Sequence, residues 1–433
     1  MTYKLHPEGV IKILVVFYLF SIFTKAYLGL SITLLLDLFL VMVLFVVVNR
    51  GIASSDLKRL AAIFISGMLL LVRLNHGLTV DSLLLMLTSR MPLMVFITVF
   101  LSMYYMRTQL DLDRIGRFIE KMIAILIIFI VVDGVYINYI GSAYDLILLF
   151  QPVGYNYIAN SPWFNFVAQG LVPNAQHASI ISCAGIILFF QLEKFTFKRT
   201  LLFLLSIFSL MLSITSTALA SLLIAIFVGY FVTFRLSYKP ILMGIFLLIF
   251  SVLIAYSFID WLTFRYDKLA NVNESVVLAF IERNIEIYIS PLANMQRFPF
   301  YVLLIGVGHS SVATLAALLA KEYSLVGHHA DFGYLYMLFE HGIINTLMLA
   351  SLYIGFVLYV KRNLKYVLEN KKRVYIVKLV IIVSLFVVSG VHYMTPTKGG
   401  LLQIIILMAS IAIISIQKNR RRLNPTTNVK NNT

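Results

Sequence analysis

Polar side chains gather in one short stretch of a sequence that is otherwise largely apolar. His329 and Asp331 are separated by a single alanine, and Glu340 follows within the next apolar run. Imidazole and carboxylate groups are the side chains that most often transfer protons during catalysis. We therefore take His329, Asp331 and Glu340 as candidate catalytic residues. The alternative is structural: Asp331 would cap a helix and Glu340 would form hydrogen bonds between helices.

Arginines and a further histidine form a second set of candidates. Arg283, Arg297 and His309 lie in the long segment 260–331 between two apolar runs, and Arg73 lies at the end of an apolar run. A guanidinium group stays charged and binds phosphate through two parallel hydrogen bonds, so these arginines suit a phosphate or pyrophosphate group. Salt bridges, or contacts with lipid phosphates, are the alternative for each arginine. His309 could equally be an ordinary loop residue.

The sequence does not favour a metal site. His328, His329 and Asp331 are of ligand type, but adjacent histidines project in different directions and no Glu-x-x-His pattern accompanies them. The chain has one cysteine, Cys183, which excludes disulfides within the chain and thiolate clusters. We expect no metal and no cofactor, and we expect Cys183 to serve in packing.

The composition is that of a membrane protein. Of 433 residues, 61% are hydrophobic and only 12% are charged, and the mean hydropathy is +0.93. Soluble proteins have about 25% charged residues, and fewer cannot coat an apolar core. These proportions exclude a soluble enzyme, a disordered chain and a nucleic-acid-binding protein. The net charge of +16 does not reverse that conclusion, because the basic residues lie in short clusters between apolar runs.

The apolar runs predict an all-α polytopic membrane protein. A helix needs about 20 apolar residues to cross a bilayer, and about twelve runs meet or approach that length. Asp133 and Asn138 lie within one run and are interpreted as polar groups for packing between helices. The predicted spans are residues 10–28, 30–48, 60–72, 91–106, 122–140, 178–192, 201–214, 218–234, 241–259, 332–360, 375–392 and 401–416.

The distribution of Lys and Arg predicts the orientation. With both termini in the cytoplasm, most basic residues fall in cytoplasmic segments, as the positive-inside rule requires. The chain then divides into four parts. Residues 1–259 carry spans one to nine, with an outer loop at about 141–176. Residues 260–331 form a large outer loop, residues 332–417 carry spans ten to twelve, and residues 418–433 form a cytoplasmic polar tail.

Two outer stretches resemble the family of bacterial O-antigen polymerases and O-antigen ligases. The first is Gly-Leu-Val-Pro-Asn-Ala at 170–175, which is similar to the family's Gly…Pro-Asn segment. The second begins at Arg283, passes Pro299 and Leu-Ile-Gly-Val-Gly at 304–308, and reaches His329-x-Asp331 and Glu340-x-Gly342. Their order is similar to the family's Arg…Pro-Leu-Leu-Gly-x-Gly…His…Glu-x-Gly pattern.

The resemblance implies a GT-C-like fold and a glycosyltransferase of lipopolysaccharide biosynthesis in the bacterial inner membrane. Such an enzyme moves a glycan from undecaprenyl pyrophosphate at the periplasmic face, so residues 260–331 would be a periplasmic loop. His329, oriented by Asp331, would be the base, with Glu340 also at the reacting centre. Substrate would be bound by Arg283, Arg297, His309, Asn174 and Arg73. The leaving pyrophosphate needs only cationic stabilisation, so no metal is expected.

The sequence departs from the family pattern at the phosphate site. The family often has an arginine shortly before the Gly…Pro-Asn segment, whereas residues 141–176 contain no Lys or Arg. Arg73 or Arg90 would fill that role. The separation of Arg283 from Gly306 is also longer than usual, so Arg297 competes with Arg283.

Three functions follow from the resemblance and the composition. A polymerase would transfer the growing chain to the next lipid-linked repeat unit. This function is preferred because the His-x-Asp-Phe-Gly-Tyr string at 329–334 and the richness in Ile, Phe, Leu and Tyr resemble polymerases more than ligases. A ligase would transfer the glycan to lipid A-core. A lipid-linked oligosaccharide flippase is disfavoured, because its charges should line a central cavity within the spans. The expected partners are the lipid-linked oligosaccharide and membrane lipids. A chain-length regulator protein is a further candidate partner, and no nucleic acid is expected.

Overall fold

The structure is a computed structural model that describes part of the chain. The described residues are 12, 16, 112–140, 167–168, 170–171, 175–190, 196–213, 215–233, 304, 333–389 and 401–423. They form seven α-helices: α1 (Leu112–Val135), α2 (Ala175–Phe189), α3 (Phe197–Ser213), α4 (Ser216–Thr233), α5 (Gly333–Asn363), α6 (Asn370–Ser389) and α7 (Leu401–Leu423). A π-helical turn, Tyr136–Ile140, follows α1, and a 3-10 turn, Leu364–Tyr366, joins α5 to α6.

Each described helix falls on one of the predicted apolar runs. The main difference is at α1, which begins at Leu112, whereas the predicted run begins at residue 122. The reason is the polar first half of α1, which has an amphipathic pattern rather than a continuous apolar one. Among the described residues, no helix is both long enough and apolar enough to cross a membrane. The predicted runs at 30–48, 60–72, 91–106 and 241–259 lie outside the described residues, as does nearly all of 10–28.

The buried face of α1 shows how the sequence produces the packing. Apolar residues recur at three- and four-residue intervals, so they fall on one side of a 3.6-residue helix. Ile115, Ile119, Leu126 and Ile130 are at most 3% exposed. This stripe packs against α2 and α3 and belongs to the described core.

Neighbouring helices α1, α2 and α3 alternate in direction. Glu120, near the start of α1, pairs with Arg199, near the start of α3, so these two helices run the same way. The carbonyl oxygen of Leu212, at the far end of α3, accepts a hydrogen bond from the backbone N–H of Ala168, which precedes α2. Helix α2 therefore starts where α1 and α3 end, and it runs antiparallel to both.

The helix directions give the bundle two chemically different ends. All Lys and Arg residues of the described helices lie at one end, which we call the basic end. The Lys361 ammonium lies over the Phe231 ring at this end, and the Arg420 guanidinium lies over the Tyr366 ring. The opposite end, where Asp133 lies, has no Lys or Arg among the described residues. We call it the Asp133 end.

Large apolar side chains face outward between the two ends. Val132 on α1 is 50% exposed, Phe227 on α4 is 49% exposed, and Leu347 and Leu352 on α5 exceed 60%. The interior, by contrast, holds polar side chains. The buried polar residues include Asp133, His177, Ser179, Ser182, Ser206, Ser209, Ser213, Ser221, Ser384 and Ser389.

Candidate functional site

The candidate site is built around a buried carboxylate at the Asp133 end. Asp133 lies in the last turn of α1 and is 2% exposed. Its Oδ2 accepts a hydrogen bond of 2.8 Å from the backbone N–H of Gly170. Burying a carboxylate is unfavourable unless donors surround it, and hydrogen bonds to a charged acceptor are among the stronger ones. The bond therefore joins α1 to the segment that precedes α2.

Gly170 adopts a conformation that favours glycine. Its φ is +61°, in the left-handed region where a Cβ atom meets the backbone. A Cβ at this position would also lie 2.8 Å from the backbone nitrogen of Ile130 and 3.0 Å from its Cα. Any larger residue would push the segment away from α1, so the glycine allows the backbone contact that the Asp133 bond requires.

Two further contacts fix the same segment. The backbone N–H of Ala168 donates to the carbonyl oxygen of Leu212 at 2.9 Å, which ties the segment to the end of α3. Leu171, the residue after Gly170, is 5% exposed and belongs to the core cluster. The segment is thus held on both sides, by α1 through Gly170 and by α3 through Ala168.

A seam of hydroxyl groups continues from this segment between α2 and α3. The Ser179 hydroxyl donates to the carbonyl oxygen of Ser213, and the Ser182 and Ser209 hydroxyls are hydrogen-bonded at 2.6 Å. Small residues let two helices approach closely, and their hydroxyls satisfy one another inside the bundle. The seam holds α2 in a fixed position relative to α3.

His177 lies in the first turn of α2 and is 1% exposed. It is therefore a buried residue of the helix, and it adds an imidazole to the same end of the bundle as Asp133. Cys183 is likewise buried in α2, as expected for a packing residue.

The backbone leaves regular α-helical geometry directly after Asp133. Residues Tyr136–Ile140 form a π-helical turn, in which the Asn138 amide donates to the carbonyl oxygen of Gly134 at 2.8 Å. Single π-helical turns occur frequently at functional sites, where they redirect side chains. Asp133 thus accepts from the segment that precedes α2, and Asn138 donates to the end of its own helix.

Most of the residues predicted from the sequence lie outside the described residues. These are His329, Asp331, Arg283, Arg297, His309, Asn174 and Arg73. The backbone of Glu340 lies within α5. Lys361 of the same helix is at the basic end, and Glu340 lies about 30 Å earlier along the axis at 1.5 Å per residue. Helix α5 therefore carries Glu340 to the side of the bundle where Asp133 lies.

The basic end contains a partly exposed charge cluster. The Arg199 guanidinium lies 3.3 Å from the Glu120 carboxylate. The Lys378 ammonium donates to the carbonyl oxygens of Leu188 and Phe190, at 2.9 and 2.6 Å. Burial raises the pKa of Glu120, and Arg199, Lys378 and Arg117 act in the opposite direction. This cluster closes the C-terminal end of α2 and holds α1, α3 and α6 around it.

No group of three His, Cys, Asp or Glu side chains that could hold a metal occurs in the described part of the chain. Neither models of known protein families nor curated proteins match this sequence. The functional assignment therefore depends on the residues themselves. Asp133 was interpreted from the sequence as a packing group, although a lone acid inside an apolar run is also a signal for a functional group.

Proposed function

We propose that this protein is an O-antigen polymerase of the bacterial inner membrane. The observation that carries the proposal is the order of the resembling motifs along the chain: the segment at 170–175, then Arg283, then Gly-Val-Gly at 306–308, then His329 and Glu340. Two features of the described residues support the proposal. Gly170 is anchored at the Asp133 end, and α5 carries Glu340 to the same side.

The bundle supports the membrane part of the proposal. Apolar side chains cover the outward faces of α1, α4 and α5, whereas hydroxyls, a carboxylate and an imidazole are inside. The segregation of Lys and Arg to one end is the pattern expected when that end faces the cytoplasm. The Asp133 end would then face the periplasm, where the lipid-linked glycan is presented.

The proposed reaction is a glycosyl transfer between two lipid-linked substrates. A hydroxyl group of the acceptor sugar attacks the anomeric carbon of the donor glycan, and a new glycosidic C–O bond forms. The bond between the anomeric carbon and the pyrophosphate oxygen breaks, and undecaprenyl pyrophosphate leaves with the electron pair. His329 takes the hydroxyl proton, a form of assistance worth about 10²–10⁴-fold in rate.

Arginine supplies the remaining chemistry. Charge grows on the pyrophosphate as the bond breaks, and a guanidinium placed against it stabilises that charge more in the transition state than in the substrate. Arg283 is the proposed residue, and Arg297 is the alternative. Asp331 would orient His329 by accepting a hydrogen bond from its second ring nitrogen.

The test is complementation in the native host after deletion of the gene. Lipopolysaccharide from cells that carry wild type or His329→Ala would be compared on gels, with the membrane content of each protein measured. We expect wild type to restore a ladder of chain lengths and His329→Ala to give core plus one repeat unit. A full ladder from His329→Ala would contradict the catalytic assignment.

The same gels separate polymerase from ligase. If this protein is instead the ligase, deletion of its gene would remove every O-antigen band, including the single repeat. Polymerised lipid-linked glycan would then accumulate in the membrane. That outcome would replace the polymerase assignment with the ligase assignment, because polymerisation would proceed without the protein.

A further inference from the structure

Two cations from different elements meet at one aromatic ring of the basic end. The Lys365 ammonium lies 5.1 Å from the centroid of the Tyr366 ring, and the Arg420 guanidinium of α7 lies 5.4 Å from the same centroid. The two charges are therefore no farther apart than the sum of these distances, which is comparable to the Debye length of about 10 Å at 0.1 M salt. Since like charges at this separation repel each other, an anion bound between them would stabilise the arrangement.

The position of the Tyr366 ring is fixed by the chain on either side of it. Leu364 and Val367 flank Lys365 and Tyr366, and both are buried and belong to the core cluster. The backbone N–H of Val367 donates to the carbonyl oxygen of Leu364 at 3.1 Å, which closes the 3-10 turn. The turn also contacts α7, the helix that carries Arg420. Packing therefore holds the ring and its two cations at the surface, where both cations are exposed.

Within the described part of the chain, no carboxylate forms an ion pair with either of these two cations. The ion pairs that are formed there join Glu120 to Arg199 and Glu369 to Lys372. The tyrosine ring attracts both cations through its quadrupole, but it carries no net charge. The two cations therefore keep the charge that is needed to bind an anion.

A phosphate group suits these side chains. The Arg420 guanidinium can bind phosphate through two parallel hydrogen bonds, and the Lys365 ammonium adds a second positive charge. The Tyr366 hydroxyl is a further hydrogen-bond donor. The chemistry of this group of side chains is therefore that of a phosphate-binding site.

Exposed apolar side chains at the basic end favour a lipid as the source of the phosphate. Leu368 is 76% exposed, and its Cα lies no more than about 7.6 Å from that of Tyr366, since consecutive Cα atoms are 3.8 Å apart. Phe197, directly before Lys198 and Arg199 in the chain, is 85% exposed. A large apolar side chain next to cations suits the boundary between lipid headgroups and acyl chains. A free phosphate ion, by contrast, would leave Leu368 in water.

We infer that Lys365, Tyr366 and Arg420 bind the phosphate of an anionic phospholipid, with Leu368 against the adjoining apolar part of the same lipid. The inference rests on the membrane location in the proposed function and is independent of the glycosyl transfer. The phosphate bridges the turn after α5 and the end of α7, so the bound lipid holds these two elements together.

A quenching experiment on the full-length protein tests the site. Leu368→Cys is labelled with a bimane fluorophore, which is itself apolar, and the native Cys183 is buried. The protein is placed in nanodiscs of neutral phosphatidylcholine that contain a small fraction of spin-labelled lipid, either phosphatidylglycerol or phosphatidylcholine. The nitroxide lies near the top of the acyl chain. Each Lys or Arg near an anionic surface strengthens binding about fivefold, so quenching should show phosphatidylglycerol enriched about fivefold or more.

The two cations are then removed together. Lys365→Gln with Arg420→Gln should lower the enrichment about fivefold or more, to the level of the neutral lipid. Lys121→Gln with Arg373→Gln is the matched control, because it removes one exposed lysine and one exposed arginine from α1 and α6 at the same end. The control should keep the enrichment of wild type. The ratio of the two quenching signals is informative, because a loss of folded protein lowers both signals alike.

Three results would overturn the inference. Equal quenching by the two lipids in wild type would show that the site does not prefer the anionic lipid. An equal loss of enrichment in both double variants would show that the net charge of the whole basic end attracts the lipid. If inorganic phosphate at constant ionic strength abolished the preference in wild type, the site would bind a free anion rather than a lipid.

The experiment separates the failure of this inference from the failure of the proposed function. If the enrichment depends on Lys365 and Arg420 but deletion of the gene leaves the lipopolysaccharide ladder unchanged, the lipid site stands and the proposed reaction fails. If the gels support the polymerase and the enrichment does not depend on these cations, the proposed function stands and the lipid site is refuted. Failure of the protein to enter nanodiscs would refute both the site and the membrane location.

Discussion

The ammonium group of Lys378 lies 2.9 Å from the carbonyl oxygen of Leu188, a residue 190 positions earlier in the chain. The same ammonium donates to the carbonyl oxygen of Phe190. The last carbonyls of a helix have no partner within the helix, and a cation at this position also interacts favourably with the helix dipole. A side chain of α6 thus completes the end of α2.

Replacing Lys378 should lower the stability of the bundle. Lys378→Met removes both hydrogen bonds, so that the two carbonyl groups lose their side-chain donor and can only be hydrated. We expect a loss of about 1–3 kcal/mol, the usual range for hydrogen bonds to a charged group in a partly exposed setting. The measurement is the midpoint of thermal unfolding in detergent. Lys378→Arg, which still donates, should lose less than half as much. Equal losses in both variants would show that the two bonds are not the cause.

The stability of the basic end should depend on pH through Glu120. Burial raises the pKa of Glu120 in the folded protein above its value of 4.5 in the unfolded chain. The folded state therefore favours the protonated carboxyl, and this contribution is complete below pH 4.5. It is lost as the pH rises through the folded-state pKa. Glu120→Gln carries no such group. As the pH rises, its midpoint of thermal unfolding should therefore increase relative to that of wild type, by the order of a few degrees.

The control for this experiment is Glu369→Gln, which removes an exposed ion pair with Lys372 at 2.6 Å. Exposed pairs are worth about 0–1 kcal/mol, so this variant should remain close to wild type at each pH. If the thermal midpoint of wild type instead increased relative to that of Glu120→Gln as the pH rises, the ion pair with Arg199 would outweigh the effect of burial.

Two glycines in helices should respond in opposite directions to alanine. A Cβ on Gly185 of α2 would clash with Ile127 of α1 and would lie 2.6 Å from the Ser206 hydroxyl of α3. Gly185→Ala should therefore destabilise the protein by about 1–3 kcal/mol, the usual range for overpacking. Gly355 of α5 has no atom within 4 Å of such a Cβ, and Gly355→Ala should stabilise by about 0.5–1 kcal/mol through helix propensity.

The measurement for both glycine variants is the thermal midpoint on the same preparation. The sign of the difference is what matters, because both substitutions add the same methyl group. A stabilising Gly185→Ala would mean that α1, α2 and α3 pack less closely than the structure indicates.

The competing arginines can be separated by charge-retaining substitutions. If Arg283 contacts the pyrophosphate, Arg283→Ala should lower the rate of transfer by about 10²–10³-fold. Arg283→Lys should retain only part of the wild-type rate, because an ammonium group cannot bind phosphate in a bidentate manner. Arg297→Ala should then stay within about threefold of wild type. The reverse pattern would assign the pyrophosphate contact to Arg297. The measurement is the transfer rate at saturating acceptor, with His329→Ala as the inactive reference.

The helices of the described part were largely predictable, because each is a long local pattern. A run of apolar residues with basic flanks can be recognised without information from elsewhere in the chain. The predicted runs overlap α1 to α7. The boundaries were less predictable. The start of α1 at Leu112 depends on an amphipathic face whose partner helices α2 and α3 are distant in sequence.

The candidate site was less predictable than the fold. The segment at 170–175 was identified from its residue types, but nothing in the sequence connected it with Asp133. The bond is formed between residues 37 positions apart, and its acceptor looks in sequence like any acid in an apolar run. The predictions for His329, Asp331, Arg283, Arg297, His309, Asn174 and Arg73 remain predictions.

By itself, the sequence determined the composition of the protein, the positions of its apolar runs, the clustering of its basic residues and the set of residue types available for chemistry. These properties are local, so they can be read without knowing what the chain folds against. Only the tertiary structure decided that Gly170 is seated on Ile130 with its N–H on Asp133, and that Lys378 closes α2. Both contacts depend on the relative direction and depth of separate helices, which is a property of packing across the whole bundle rather than of any single segment.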